Sequence, residues 1–317
     1  RSRGLDRVAR VGRRAHRGEA PPQPARQPLA GGAALSGPVL ARTADGARLH
    51  LQHGPIDVIL QATGAPSDVR EAESRAWERF RTVLDELVGE LAVLRRRHDV
   101  GAPAEVAGAV ARRMVAAVDP FARDRFVTPM AAVAGSVADE LCAVMTEGLA
   151  LRKVYVNDGG DIAIHLAEGE EFAVGVVPVP ERPALIGKAV IRAADPVRGI
   201  ATSGRRGRSF SLGIADAVTV LATSAATADV AATLVANAVD LPDSPAITRT
   251  PANELDPDSD LGDLPVTVAV GELADGEVAA AIAAGVASAE RMRAEGTIAA
   301  AVLCLGDVVE VVGDPRG

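Results

Sequence analysis

The run Val154-Tyr155-Val156-Asn157-Asp158-Gly159-Gly160-Asp161-Ile162-Ala163-Ile164-His165-Leu166 carries one apolar strand into two adjacent glycines and out into a second strand. Glycines tolerate positive φ and let the chain reverse within two residues, so 154–157 and 162–166 read as neighbouring strands of a hairpin. No helix follows the turn and G-x-G-x-x-G is absent, which excludes a dinucleotide fingerprint. Two readings of the turn stay open. It is an ordinary hairpin, or its exposed N–H groups hold a phosphate or the edge of a heteroaromatic ring.

Outward from this hairpin the chain alternates runs of strands with helices. Upstream, 40–43, 47–52 and 56–61 read as strands, with Asp45-Gly46 as a turn and Gly54-Pro55 as a break. Ser67-Asp68 offers an N-cap for a helix to about residue 97, whose Val83, Leu84, Leu87, Leu91 and Leu94 follow helical spacing. Further helices are expected over 103–118 and 130–146. Downstream, 172–177, 189–192, 199–202 and 217–222 read as strands, and 225–239 as a small-residue helix. A Pro/Asp-rich loop (242–264), a strand (266–270), a helix (276–294) and a hairpin through Gly306-Asp307 complete the chain. Strands in runs without regular βαβ alternation point to an α+β fold with mostly antiparallel sheets packed with helices.

Composition narrows the function classes. The 317 residues carry a net charge of −8 and only 2% aromatics, so an aromatic platform for single-stranded nucleic acid is not expected. Residues 1–30 hold eight arginines against Asp6 and Glu19, a balance of +6 that leaves about −14 on the rest. So acidic a body does not bind nucleic acid by phosphate neutralisation. Residues 1–37 read as a disordered basic arm, and 38–317 as one α+β domain. Arg13-Arg14 is followed by Ala20-Pro21-Pro22 and not by an apolar segment. No signal peptide or membrane span is therefore expected, and the expected location is cytoplasmic. Cys142 and Cys304 are too few for a thiolate zinc site, and no histidine pair has metal-ligand spacing.

Two further stretches suit anionic ligands. Thr202-Ser203-Gly204-Arg205-Arg206-Gly207-Arg208-Ser209 concentrates hydroxyls, glycines and arginines in an acidic chain, and arginine binds phosphate bidentately. The plain alternative is a solvated loop. Asp229 and Thr233 lie four apart in the small-residue helix and share one face. A carboxylate and a hydroxyl there suit Mg²⁺ completed by phosphate and water, or simply belong to a tightly packed alanine helix.

The order of these blocks resembles the ApbE-like superfamily, whose best-known members are flavin transferases, over roughly residues 38–313. Val133-Ala134-Gly135-Ser136-Val137-Ala138-Asp139 resembles the family's glycine-bearing helix with a later Asp. Val156-Asn157-Asp158-Gly159-Gly160-Asp161 resembles its Gly-Gly-acid turn, and Ala201-Thr202-Ser203-Gly204 its Thr-Ser-Gly stretch. Val218-Thr219-Val220 and Ala228-Asp229-Val230-Ala231-Ala232-Thr233 resemble its Val-Thr-Val strand and Ala-Asp-x-x-x-Thr helix. The resemblance implies a T-fold-like architecture, FAD as donor, Mg²⁺ on the pyrophosphate, and FMN passed to a threonine of a target protein. It implies Asp229 and Thr233 as metal ligands, with a backbone carbonyl near Val133. Asn157, Gly159, Gly160, Asp161, Thr202, Ser203, Gly204, Arg205 and Arg208 are the expected cofactor-binding residues.

The chain departs from that pattern where transferases carry a His and an Asp-Pro. Here the segment reads Gly207-Arg208-Ser209-Phe210-Ser211-Leu212-Gly213-Ile214-Ala215-Asp216, and Ala134 replaces the family's Lys. The sequence thus resembles a side branch that keeps the scaffold without the transferase His; Asp216 is the candidate base, or else a hydrogen-bonded structural carboxylate. Two functions follow: divergent FMN transfer or FAD hydrolysis, or a non-catalytic module that binds a flavin or another anionic heterocycle.

Overall fold

Nine antiparallel strands form the central sheet of the computed structural model, which describes residues 37–101, 105–176 and 187–314. The strands are β1 (Val39–Arg42), β2 (Leu49–His53), β3 (Ile56–Gly64), β4 (Leu151–Asp158), β5 (Asp161–Leu166), β8 (Gly199–Ser203), β9 (Ala217–Ala222), β12 (Ala300–Leu305) and β13 (Val308–Val312), paired in that order. Two hairpins stand apart from it, β6 (Glu171–Val176) with β7 (Gly187–Arg192), and β10 (Ile247–Pro251) with β11 (Pro265–Val270). The helices are α1 (Pro66–Leu94), α2 (Ala109–Val118), α3 (Val133–Thr146), α4 (Ala225–Ala238), α5 (Ala252–Leu255) and α6 (Asp275–Ala294). The α+β class and its mostly antiparallel pairing match the sequence reading. Residues 1–36, the expected basic arm, lie outside the described residues, and the described residues belong to one compact unit.

Alternation along the strands separates two cores. Val154, Val156, Ala163 and Ala201 face the helices and join the main core with Phe80, Leu141, Met145 and Val235. Ile164, Leu166, Ile200 and Leu221 point to the opposite face, where Ile191 joins them and Tyr155 and Phe172 pack edge to face at the margin. With few aromatics to fill space, the main core closes by bringing backbones together. A Cβ on Gly199 would lie 2.0 Å from the carbonyl carbon of Ser224, and one on Gly135 would lie 2.3 Å from the carbonyl oxygen of Ala225. Both glycines therefore let α4 settle directly onto β8 and α3, as its buried Ala225, Ala226, Ala228, Ala231 and Ala232 also require.

Several boundaries differ from the sequence expectation for physical reasons. Helix α1 starts at Pro66, whose missing N–H costs nothing in a first turn; Ser67-Asp68 lie inside the helix and do not cap it. Helix α2 starts only after Gly108, because Glu90 of α1 accepts the Ala107 and Gly108 N–H groups and holds that segment outside the helix. The span 242–264 is not all loop. It holds β10 and α5, with Arg249 anchored to the Leu212 carbonyl and to Asp240. None of the described helices is long and apolar enough to cross a membrane.

Candidate functional site

The β4–β5 hairpin ends on the helix side of the sheet. Asp158 continues the buried positions Val154 and Val156, and it pairs in register with Asp161. Gly159 and Gly160 turn the chain at φ of +63° and +118°, and Asn157 pins the turn by accepting the Gly160 N–H at 2.8 Å. Each aspartate is held by one backbone donor: Asp158 Oδ1 accepts the Asp57 N–H and Asp161 Oδ1 the Thr202 N–H, both at 3.3 Å. Burial pushes the Asp158 carboxyl up to about 7, partly offset by the Asp57 N–H and the charge of Arg208, while Asp57 raises it further. Burial raises Asp161 as well, and Asp158 adds to that shift.

Helix α4 brings a third acid to the same place. Asp229 Oδ2 accepts the Gly135 N–H at 3.1 Å, at the start of α3, and its other oxygen has no hydrogen-bond partner among the described residues. Its carboxyl is raised well above the ordinary range, first by burial and then by the charge of Asp161, with Asp158 and Asp139 adding to it. One turn on, Thr233 donates to Ser203 Oγ at 3.2 Å, which ties α4 to the end of β8. Ser203 shares the helix-facing side with Ala201. Thr202 faces the other way and meets Thr219 at 2.9 Å, so only its backbone N–H reaches the acids.

The arginine loop divides its charges. Arg205 and Arg206 both bind Asp216, at 2.5 and 2.8 Å to the same oxygen, and the other oxygen accepts the Gly306 N–H at 2.7 Å. Gly204 reverses the chain at φ +140° against the Asp216 carbonyl. Asp216, the candidate base, is thus fully occupied in holding the loop. Arg208 alone of the three reaches the hairpin: a Cβ on Gly159 would lie 2.7 Å from Arg208 Nη2. The structure therefore brings Gly159, Gly160, Asp161, Ser203, Arg208, Asp229 and Thr233 together, whereas Gly204 packs against the Asp216 carbonyl. It sets Arg205 and Asp216 to one side as a structural pair, and leaves Asn157 and Thr202 supporting the turn and Asp161.

Asp158 and Asp139 belong to this site; the sequence places both within family-like blocks but does not mark them as site residues. Asp158 was readable from the two-residue period that places it with Val154 and Val156. Asp139 lies four residues after Gly135, hence on one face of α3 with it. Among the described residues, no three His, Cys, Asp or Glu side chains stand where they jointly hold a metal ion. A cation here would therefore draw on Asp229, the Thr233 hydroxyl, and oxygens of a phosphate or water, a set suited to Mg²⁺. The Asp229 oxygen without a hydrogen-bond partner among the described residues, and the crowding of half-buried carboxylates around buried Asp158, fit such an ion, since clustered like charges call for a counter-charge.

The chain belongs to the AbpE bacteria family, whose model matches residues 40–311. It is 40% identical over 134 residues to a UPF0280 protein of Methanopyrus kandleri, covering 42% of this chain and 50% of that one. It is 37% identical over 118 residues to a UPF0280 protein of Methanothermobacter thermautotrophicus, covering 37% and 44%. The chain spans about half the length of the curated relatives it matches. Among solved structures, a point mutant of the flavin transferase ApbE from Vibrio cholerae is similar at 15% identity and a TM-score of 0.44, covering 87% of this chain and 97% of that one. The apo form of the Pseudomonas stutzeri flavinyl transferase ApbE is similar at 12% identity and a TM-score of 0.42, covering 89% and 95%.

Proposed function

We propose that the crevice between the β4–β5 turn, the end of β8 and the start of α3 binds a flavin nucleotide, FAD or FMN, together with Mg²⁺. The observation that carries this reading is Arg208 lying against the exposed, side-chain-free Gly159 and acting on Asp161, whose charge in turn acts on Asp229, with Thr233 one turn further along α4. Family membership and the matching motif order support a flavin as the ligand. Arg208 takes a phosphate oxygen, and Gly159 and Gly160 let that phosphate approach the backbone. Asp229 and Thr233 hold the metal, with a backbone carbonyl near Val133 as a further ligand. When bound, Mg²⁺ supplies charge neutralisation to the pyrophosphate and polarises the phosphorus. Ser203 lines the crevice, and Asp216 acts through the loop by fixing Arg205 and Arg206.

The reaction we assign is cleavage of the FAD pyrophosphate, by hydrolysis or by FMN transfer to a target protein. Asp161, held in place by the Thr202 N–H and with its carboxyl raised by burial, is the residue that accepts the proton of the attacking hydroxyl. A second reading, a binding module without turnover, is favoured by the engagement of both Asp216 oxygens, which leaves the arginine loop without a free base. Incubation of the full chain with FAD, with and without Mg²⁺, separates the two. Mg²⁺-dependent appearance of FMN and AMP, or of AMP with flavin covalently attached to a supplied threonine-bearing target, supports the enzyme. Bound but unchanged FAD supports the module, and the absence of any flavin binding refutes both.

A further inference from the structure

Helices α3 and α4 exchange carboxylates. Asp229 of α4 accepts the Gly135 N–H near the start of α3. Asp139 of α3 accepts the Ala225 and Ala226 N–H groups at 3.0 and 2.9 Å, at the start of α4. Ser224 closes the rest of that first turn: its Oγ accepts the Thr227 N–H at 3.1 Å and its carbonyl accepts the Ala228 N–H. The N–H groups of the first three helical residues of α4, Ala225, Ala226 and Thr227, are thus satisfied within the chain and are not available to a phosphate. The two helices meet with no intervening side chain, because Gly135 lies against the Ala225 backbone. A change at Asp139 is therefore passed directly to α4, and one turn later to Asp229.

We infer that Asp139 is the positioning residue of the cation site: by gripping the first two N–H groups of α4 it sets where Asp229 presents its unpartnered oxygen. The inference rests on the reading of Asp229 as a metal ligand. Its neighbour Glu140 provides an internal control. Glu140 is buried and binds Arg79 at 2.9 Å and Arg113 at 3.0 Å, so its ion pairs hold α3 to α1 and α2 and not to the start of α4.

The test is a Mn²⁺ titration of the full chain, read by the spin-resonance signal of free Mn²⁺, with circular dichroism to confirm the fold. Asp139→Asn loses one acceptor and the charge, while Asp139→Glu keeps charge and acceptors but pushes α4 away by one methylene. Supporting residues around a metal site contribute about tenfold or more to its affinity, and both variants are expected to weaken Mn²⁺ binding by about that factor. Glu140→Gln is expected to bind within about twofold of the parent even where it melts earlier. If Asp139→Asn does not fold, Asp139→Glu carries the test. Parent-like affinity in a folded Asp139 variant, or an equal loss in Glu140→Gln, overturns the inference while leaving the cation site standing. A parent chain that binds no Mn²⁺ overturns the cation reading itself, and the inference with it.

Discussion

Replacing Asp158 by Asn should stabilise this protein, but only at high pH. Asp158 is buried, its carboxyl is pushed up to about 7, and in an unfolded chain it titrates near the ordinary 4. Between those values the native state holds a proton that the unfolded state has released. Its contribution to stability is therefore fully present below about pH 4 and is lost as pH rises to about 7. Three units at about 1.4 kcal/mol each set a ceiling of about 4 kcal/mol. Relaxation and water entry at the crevice reduce this, and about 2 kcal/mol is the figure we expect. Asn keeps the shape and the acceptor for the Asp57 N–H but never ionises. Urea unfolding should give matching midpoints for parent and Asp158→Asn at about pH 3.5, below the unfolded-state value. At pH 8 the variant should be more stable by about 2 kcal/mol, with the gap narrowing when Mg²⁺ is added to the parent. A variant destabilised by the same amount at both pH values would refute the reasoning, because Asp158 would then act through packing alone.

Other expectations follow from single contacts. Arg208→Ala should weaken nucleotide binding about tenfold, measured by calorimetry with FMN, and should raise the Asp158 titration further because that guanidinium opposes it. Gly135→Ala should lower the thermal midpoint by several degrees, since its methyl would fall 2.3 Å from the Ala225 carbonyl oxygen; a change of about 2 kcal/mol or more is expected in denaturant unfolding. Asp216→Asn should leave the pH dependence of any turnover unchanged while accelerating proteolysis within 205–209, because it releases Arg205 and Arg206. A pH profile shifted by that substitution would return Asp216 to the role of base.

What the sequence made legible was local. The Gly159-Gly160 hairpin and the small-residue helix at α4 declare themselves through turn chemistry and through spacings of two and three to four residues. The match between Gly135, Gly199 and α4 was hinted at only by the abundance of alanine, since close backbone approach depends on two segments far apart in the chain. Arg205 looked equivalent to Arg208 because its partner, Asp216, and that residue's own donor Gly306 are distant in sequence. Strand β10 was hidden for the same reason: five residues ending in proline form a strand because β11 pairs with them and Arg249 reaches Asp240. Asp158 was the avoidable omission. The two-residue period already placed it beside Val154 and Val156 on the buried face, where an unpaired carboxylate calls for a functional reason.

The measurement that bears most directly on the account is a fluorescence titration of FAD with the full chain at pH 7.5, with and without Mg²⁺, and with Asp229→Ala. Flavin fluorescence is expected to be quenched more strongly with Mg²⁺ in the parent and to lose that dependence in Asp229→Ala. Quenching that is indifferent to both Mg²⁺ and Asp229, or no quenching at all, would contradict that expectation.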